Sequence, residues 1–369
     1  MSKKLVIGCD ISAYFSNFKF YDSERQVEYE KLKIKHTTEG FRELDQTLEK
    51  VKRRRKFEEV VIVIEQTGIY SLPIITWAWE KKIKIVMVEG KDLHDYRKLK
   101  KNGVKNDWID AELLARYYIE GNKHYTLEIE PKDLYELKSL IRYRERLLRD
   151  KVRKKNYIKQ VVSVMFPDMN KYKNSQFWNK VKNLQLEPSP YGFKSSELYE
   201  ILIWEIDDLK AIEERIKEID GKIEKILREC KKFREQVNII KQIGLSTISA
   251  GYLISIFWDI DRFNNIKAFR RYMGYGFKNY QSGKRRYEKH EEQNRLAKKV
   301  LFMFVLQSIR SRSNHKHIKE KYEYYRAKGD GGRKAMYKVS SKIVNWIYKA
   351  LKERRLDHEA IRTGAYPED

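Results

Sequence analysis

Residues 60–70 form the stretch VVIVIEQTGIY. Its first five residues are all Val or Ile, a run that predicts a fully buried β-strand. The run stops at Glu65, so a carboxylate stands where the buried strand ends. Short apolar runs at residues 5–10 (LVIGCD) and 83–88 (IKIVMV) predict two more buried strands.

The segments around these runs complete an alternating pattern. Residues 14–21 (YFSNFKFY) and 27–34 (VEYEKLKI) alternate in hydropathy and predict two strands. Helical spacing occurs at residues 41–51, 72–80 and 106–120. The order is three strands, helix, strand, helix, strand, helix. This order predicts an α/β domain of the ribonuclease H-like fold over residues 1–125, an antiparallel meander followed by parallel strands with covering helices.

Residues 126–235 predict a helical segment. Apolar residues with spacings of 4, 3, 4 and 3 indicate a heptad seam: Ile212, Ile216, Ile219, Ile223 and Ile226. Around residues 166–195 three prolines interrupt the helical pattern and predict a loop. Two long helices with a loop between them indicate a coiled-coil arm, and an ordinary helical hairpin packed on its own domain explains the pattern equally well.

Residues 236–369 predict a mainly helical third domain, with amphipathic helices near 292–311 and 334–353. Gly244 lies between two apolar helical stretches in residues 238–250 (NIIKQIGLSTISA). Such a glycine is typical of a helix-hairpin-helix element that presents backbone N–H groups to phosphate. A simple joint between two helices would read the same way.

The charge of the chain points to a polyanionic partner. The formal net charge is +26, and a soluble protein with that excess most often binds nucleic acid. A proteome that favours Lys would explain part of the excess. The cations expected to contact nucleic acid are spread along the chain: Arg53, Arg54, Arg55, Lys100, Lys101, Lys105, Arg142, Arg144, Arg146, Lys284, Arg285 and Arg286.

Cysteine content and hydropathy exclude other classes of protein. Cys9 and Cys230 cannot form a disulfide framework or a four-cysteine zinc site. The first residues lack the long apolar segment of a signal peptide, and no apolar run approaches the roughly 20 residues that span a bilayer. We therefore expect an intracellular, cytoplasmic protein with no membrane partner.

Four acidic residues are candidates for a metal site. Asp10 and Glu65 end predicted strands that neighbour each other in a ribonuclease H-like sheet, and Asp107 and Asp110 lie three residues apart on one helix face. Oxygen ligands suit Mg²⁺ or Mn²⁺, and such ions can activate a phosphodiester. For the helical pair alone, a capping box with Asp107 as N-cap and Asp110 at N3 is the competing explanation.

These acids lie in recognisable motifs. Asp10, the stretch at 65–70 (EQTGIY) and the stretch at 105–115 (KNDWIDAELLA) resemble the DEDD transposases of the insertion-sequence 110 family. The family usually has Lys-Thr-Asp where this chain has Lys-Asn-Asp. The resemblance implies a RuvC-like domain in which Asp10, Glu65, Asp107 and Asp110 are catalytic and hold the metal.

A serine in a cationic stretch is the second candidate. Ser282 precedes Gly283 and three cations in residues 269–286 (FRRYMGYGFKNYQSGKRR). A serine is a weak nucleophile without activation, so the motif alone favours a turn serine beside a phosphate-binding loop. The family's Asp-x-x-Arg-Phe and Ser-Gly motifs correspond to residues 259–263 and Ser282-Gly283. By that resemblance Ser282 is the nucleophile that forms a phosphoserine link with DNA, whereas the sequence after about 287 departs from the family.

The resemblance also implies partners. Members act on donor and target DNA, use a bridge RNA encoded by the element, and assemble as homo-oligomers, from dimer to tetramer, with composite sites. The resemblance thus implies a prokaryotic protein associated with the nucleoid. A site-specific DNA invertase of the Piv type shares the signature, and a non-catalytic nucleic-acid-binding protein is a further alternative. A RuvC-like junction nuclease would need neither Ser282 nor the third domain.

Overall fold

The computed structural model describes residues 3–65, 68–100, 106–189, 196–282, 285–290, 294–310 and 315–355, with the backbone alone at 277–282 and 285–290. The chain divides into two structural units, Met1–Tyr135 and Glu136–Asp369. The division into three domains, with boundaries near residues 125 and 235, stays a prediction.

The first unit is a mixed α/β structure. Its strands are β1 (Lys4–Ile11), β2 (Phe15–Asp22), β3 (Val27–Lys35), β4 (Glu59–Glu65), β5 (Lys84–Val88) and β6 (Tyr125–Thr126). Its helices are α1 (Thr38–Arg54), α2 (Leu72–Glu80), α3 (Gly90–Leu99) and α4 (Asp107–Ile119).

The strands form one sheet in the order β3-β2-β1-β4-β5-β6. β1 pairs with β2 antiparallel and with β4 parallel, and β4 pairs with β5 parallel. This arrangement confirms the predicted meander followed by parallel strands, as in a ribonuclease H-like domain. Helix α3 and the short strand β6 were not predicted.

Helix α4 packs on one face of this sheet. Val61 and Val63 of β4 share a buried cluster with Leu113 and Leu114 of α4. The alternate residues of β4, such as Ile62 and Ile64, are also buried. Strand β4 is therefore covered on both faces, which is why its sequence is a continuous apolar run rather than an alternating one.

The rest of the chain is mainly helical. Helix α5 begins at Pro131, and most of its residues belong to the second unit. The elements are α5 (Pro131–Met165), α6 (Asn174–Lys182), α7 (Glu197–Glu229), α8 (Lys231–Gln242), α9 (Thr247–Phe257), α10 (Ile266–Tyr272), β7 (Phe277–Ser282), β8 (Arg285–His290), α11 (Arg295–Ser308), α12 (Lys316–Ala327) and α13 (Gly332–Glu353).

Helices α5 and α7 lie antiparallel to each other. Lys151 pairs with Glu213 at 3.0 Å, and Lys154, further along α5, pairs with Asp208, earlier on α7, at 2.6 Å. The loop predicted at 166–195 is wrong over α6, whose Phe177 is buried with residues of α5 and α7. A coiled-coil arm stays a prediction.

The last helices agree with the sequence pattern, because α11 and α13 cover the amphipathic stretches near 292–311 and 334–353. The β7–β8 hairpin before them was not predicted. None of the described helices is long and apolar enough to cross a membrane.

Candidate active site

Two of the four candidate acids end neighbouring strands. Cys9 of β1 lies opposite Ile64 of β4 in the parallel register, and Asp10 and Glu65 are the next residues along each strand. Successive side chains on a strand point to opposite faces. Asp10 and Glu65 therefore lie at the same end of the sheet and on the same face, with each side chain partly exposed.

That face is the one covered by α4. Gly8, two residues before Asp10, lies directly under the helix: a Cβ added there would be 2.9 Å from the nitrogen of Ala115 and would overlap with the oxygen of Ala111. At the other end of β1, the Lys4 ammonium donates to the Tyr118 hydroxyl at 3.3 Å. The helix thus runs antiparallel to β1, and its first turn lies near Asp10.

The first turn of α4 carries the other two acids. The N-cap is Asn106, whose side chain accepts a hydrogen bond from the backbone of Trp108 at 3.0 Å. The alternative in which Asp107 caps the helix with Asp110 at N3 is therefore wrong, because both aspartates lie one position further into the helix. Asp107 is exposed, whereas Asp110 is buried.

Two of the four acids, Asp110 and Glu65, contact helix α3. Asp110 accepts a hydrogen bond from Arg97 of α3 at 2.7 Å, an ion pair that the sequence did not predict. The Glu65 carboxylate lies against the first residue of α3, since a Cβ added at Gly90 would be 2.5 Å from its Oε1. The positive end of the α3 dipole suits an acid at that position.

The four acids share one region of the sheet without forming a closed cluster. Within the described residues, no three His, Cys, Asp or Glu side chains lie close enough to hold a metal ion. The donors at this edge are nonetheless all carboxylate oxygens, the ligands that Mg²⁺ and Mn²⁺ prefer. Because Gly8 and Gly90 have no side chain, α4 can pack closely on β1 and the Glu65 carboxylate can lie against the start of α3. The donor chemistry therefore fits a hard divalent cation.

Ser282 lies in the second unit. It is the last residue of β7 and is paired in register with Arg285 of β8. A hairpin strand thus holds the serine that the sequence placed in a loop. Lys284 lies outside the described residues, and only the backbone is described for Arg285 and Arg286.

The predicted nucleic-acid contacts separate into two groups. In the first group the cation has a carboxylate partner within its own unit: Arg54 with Glu30, Arg55 with Asp22 and Glu24, Lys100 with Glu120, and Arg144 with Asp220. In the second group Arg53, Arg142 and Arg146 are exposed. Lys101 and Lys105 lie outside the described residues. The second group offers the freer surface for phosphate.

The glycine in the stretch 238–250, Gly244, lies in the turn between α8 and α9. Gly244 has φ of +112°, which a side chain would disfavour. Ser246 caps α9 by accepting from the backbone of Ser249 at 3.1 Å. A Cβ at Gly244 would overlap with the His315 ring, so a protein side chain already covers one side of this turn.

Residues 259–263 of the second unit are held by internal contacts. Asp259 accepts from the backbone of Asp261 at 2.9 Å and pairs with Lys232. The buried Arg262 donates to the carbonyl oxygen of Phe257 at 3.1 Å, and its Cζ lies 4.3 Å from the centroid of the Trp258 ring. These charged side chains are therefore engaged in contacts within the second unit.

A lysine lies near the same tryptophan. The Lys138 ammonium is 4.4 Å from the Trp258 ring centroid. Burial, reinforced by the positive charges of Arg262 and Arg142, lowers the pKa of Lys138 to about 7. Two cations thus adjoin one indole ring, and one of them titrates near neutral pH.

Two family models match the chain. The first, a DEDD-type IS110 model described as "Transposase", matches residues 7–167, a range that includes all four candidate acids. The second, described as "Transposase IS116/IS110/IS902 family", matches residues 237–323, which include Ser282. A search of curated proteins found no match.

Proposed function

Because the chain belongs to the IS110 family of transposases, to which both matched models refer, we propose that it moves a mobile element by a serine-based recombination reaction. Ser282 is the nucleophile in this proposal, and Asp10, Glu65, Asp107 and Asp110 hold a divalent cation. The family assignment establishes a transposase that acts on DNA. The identity of the nucleophile, the metal and the guide are the proposed parts.

One observation carries the metal part of the proposal. Helix α4 runs antiparallel to β1 across Gly8, so the turn that bears Asp107 and Asp110 lies towards the strand end that bears Asp10. Capping does not account for the two aspartates, because Asn106 caps the helix. Arg97 balances the charge of Asp110, and a divalent cation would balance the repulsion among Asp10, Glu65 and Asp107 at the same edge.

The chemistry divides between the two units. Mg²⁺ or Mn²⁺ would supply Lewis-acid stabilisation of charge on a phosphodiester. The Ser282 oxygen attacks phosphorus, a serine–phosphate ester forms, and the displaced deoxyribose oxygen leaves and takes up a proton. Attack by that or another deoxyribose hydroxyl on the phosphoserine rejoins the strand and restores the serine. The ester conserves the energy of the broken phosphodiester, so rejoining needs no added nucleotide.

The proposed partners follow from the exposed cations. Arg53, Arg142 and Arg146 are exposed, and the Arg146 guanidinium carbon lies 4.8 Å from the ring centroid of Tyr143. Arginine and tyrosine side chains that interleave on a helix can contact phosphates and stack on unpaired bases. We propose that these side chains hold an element-encoded bridge RNA, which would read DNA by base pairing, within a homo-oligomer.

Two experiments test the proposal. Ser282→Ala should abolish both strand exchange and the covalent protein–DNA adduct, and an adduct that survives in the variant would move the nucleophile elsewhere. Asp107→Asn combined with Asp110→Asn should remove Mg²⁺-dependent activity and leave RNA binding nearly intact. Full activity in a chelator would disprove the metal part. Sequencing the RNA that co-purifies with the protein tests the guide.

A further inference from the structure

Strand β2 places one amide beside the acidic edge. Asn17 is the register partner of Asp10 in the antiparallel β1–β2 pair. Side chains of directly opposite residues lie on the same face, with their Cβ atoms about 4.5–5.5 Å apart. Asn17 and Asp10 are therefore neighbours across the strands.

The neighbouring register pair, Lys19 and Gly8, shows that Asn17 and Asp10 lie on the face of the sheet that α4 covers. Lys19, two residues after Asn17, donates to Glu112 of α4 at 2.8 Å, and its register partner is Gly8, on which α4 packs. Residues two apart on a strand share a face. Asn17 thus belongs to the layer between the sheet and α4.

Asn17 is buried there without full hydrogen bonding. Its exposure is 1%, and its Nδ2 has no hydrogen-bond partner among the described residues. A buried amide donor that lacks a partner destabilises a folded protein relative to an apolar residue of similar shape. By contrast Ser16, the adjacent buried residue on the opposite face, is hydrogen-bonded to His36 at 2.8 Å. The unsatisfied group is thus the one next to Asp10.

From this juxtaposition we propose that Asn17 is a positioning residue for Asp10: in the metal-loaded protein its Nδ2 would donate to the Asp10 carboxylate and fix the orientation in which that carboxylate holds a divalent cation. The inference rests on the proposed metal site. Partners of this kind orient metal-binding carboxylates, and their loss typically weakens metal affinity about 10–100-fold. In this role the amide is retained at a cost to the stability of the metal-free protein.

The test measures Mn²⁺ binding to the full-length protein by electron paramagnetic resonance, together with the Tm of the metal-free protein. Asn17→Leu should weaken Mn²⁺ binding about tenfold while the Tm stays the same or rises.

Ser16→Ala is the matched control. It removes the hydrogen bond to His36 and should lower the Tm without changing Mn²⁺ affinity. Unchanged Mn²⁺ affinity in Asn17→Leu, or a Tm loss with no change in affinity, would show that Asn17 is structural. Asp10→Asn separates the two levels of inference: if it too leaves Mn²⁺ binding unchanged, the metal site itself is wrong.

Discussion

Arg97 of α3 and Asp110 of α4 form a 2.7 Å ion pair at the acidic edge of the sheet. The aspartate side chain is only 9% exposed and the arginine side chain 21%. A guanidinium thus neutralises the most buried of the four candidate metal ligands. It also links α3, which begins beside Glu65, to the helix that carries Asp107 and Asp110.

Removal of Arg97 should lower the stability of the protein and raise its affinity for Mn²⁺. Arg97→Gln leaves a buried carboxylate without its cation, and we expect the free energy of unfolding to fall by about 3 kcal/mol. The cation that competes for Asp110 is lost too, so Mn²⁺ affinity should rise several-fold. Urea unfolding and Mn²⁺ titration measure the two effects.

A double-mutant cycle with Asp110→Asn provides the control for the ion pair. The double variant should recover part of the lost stability, because neither charge then remains unpaired. Weaker Mn²⁺ binding in Arg97→Gln would mean that the arginine orients Asp110 rather than competing for it.

The contact between α4 and β1 requires glycine at position 8. Gly8→Ala would place a methyl group against the backbone of Ala111 and Ala115, and backbone cannot move aside as a side chain can. We expect overpacking to cost about 3 kcal/mol and to reduce Mn²⁺ binding, because α4 carries Asp107 and Asp110. Thermal unfolding and Mn²⁺ titration measure both.

Gly221, in the middle of α7, is the matched glycine. A Cβ there meets no atom within 4 Å, so Gly221→Ala should stabilise the protein by about 1 kcal/mol through helix propensity. A Gly8→Ala variant as stable as the wild type would refute close packing of α4 on β1.

The sequence predicted the parts of the site that depend on strand order. Apolar runs and alternation report which faces of a strand are buried, so the meander and the parallel strands followed from the pattern. The edge shared by Asp10 and Glu65 followed from that order. The N-cap was missed by one residue, because Asn106 and Asp107 are both good caps and only the backbone decides between them.

The contacts between elements could not be predicted in the same way. The Arg97–Asp110 pair depends on how α3 and α4 pack, and α3 has no strong apolar periodicity. Asn17 carried a signal, as a polar residue inside an otherwise buried strand, but its significance depends on the register with Asp10. The β7–β8 hairpin was missed because its polar, cationic strands lack apolar alternation.

Lys138 should make stability depend on pH near neutrality. Its pKa is about 7 in the folded protein and about 10.4 in an unfolded chain. Between these values the unfolded state binds more protons, so stability rises with pH by up to about 1.4 kcal/mol per unit. Below pH 7 both states are protonated, and the whole cost of burying the charge remains.

Lys138→Met removes that titration. The variant should be more stable than the wild type at pH 6, and the difference should shrink as the pH rises to 9. Urea unfolding at several pH values measures it. Lys159→Met, at an exposed position of the same helix, should give a difference that does not vary with pH. A constant difference for Lys138→Met as well would show that the amine has an ordinary pKa.

Among neighbouring arginines of α5, we expect the loss of some to impair RNA binding and the loss of others to lower the Tm. Arg142 and Arg146 are exposed, and Arg142 repels the buried Lys138, so the double change to Gln should weaken RNA binding without lowering the Tm. Each phosphate contact contributes to the slope of log affinity against log salt concentration by about 0.7 for single strands and about 0.9 for B-form DNA. For contacts with unpaired RNA, the double variant should therefore lose roughly 1.4 units of slope.

Arg144 is the control on the same helix. It pairs with Asp220 and donates to the Tyr252 hydroxyl at 3.1 Å, so Arg144→Gln should lower the Tm and leave the salt slope unchanged. Filter binding between roughly 50 and 200 mM salt and thermal unfolding separate the two classes. If Arg144→Gln changed the slope as much as the double variant, the division into internal ion pairs and an exposed phosphate-binding surface would be wrong. The three arginines lie in the same positively charged stretch of α5. A difference between them would therefore show that ion pairing within the protein, and not the local density of positive charge, determines which arginines bind nucleic acid.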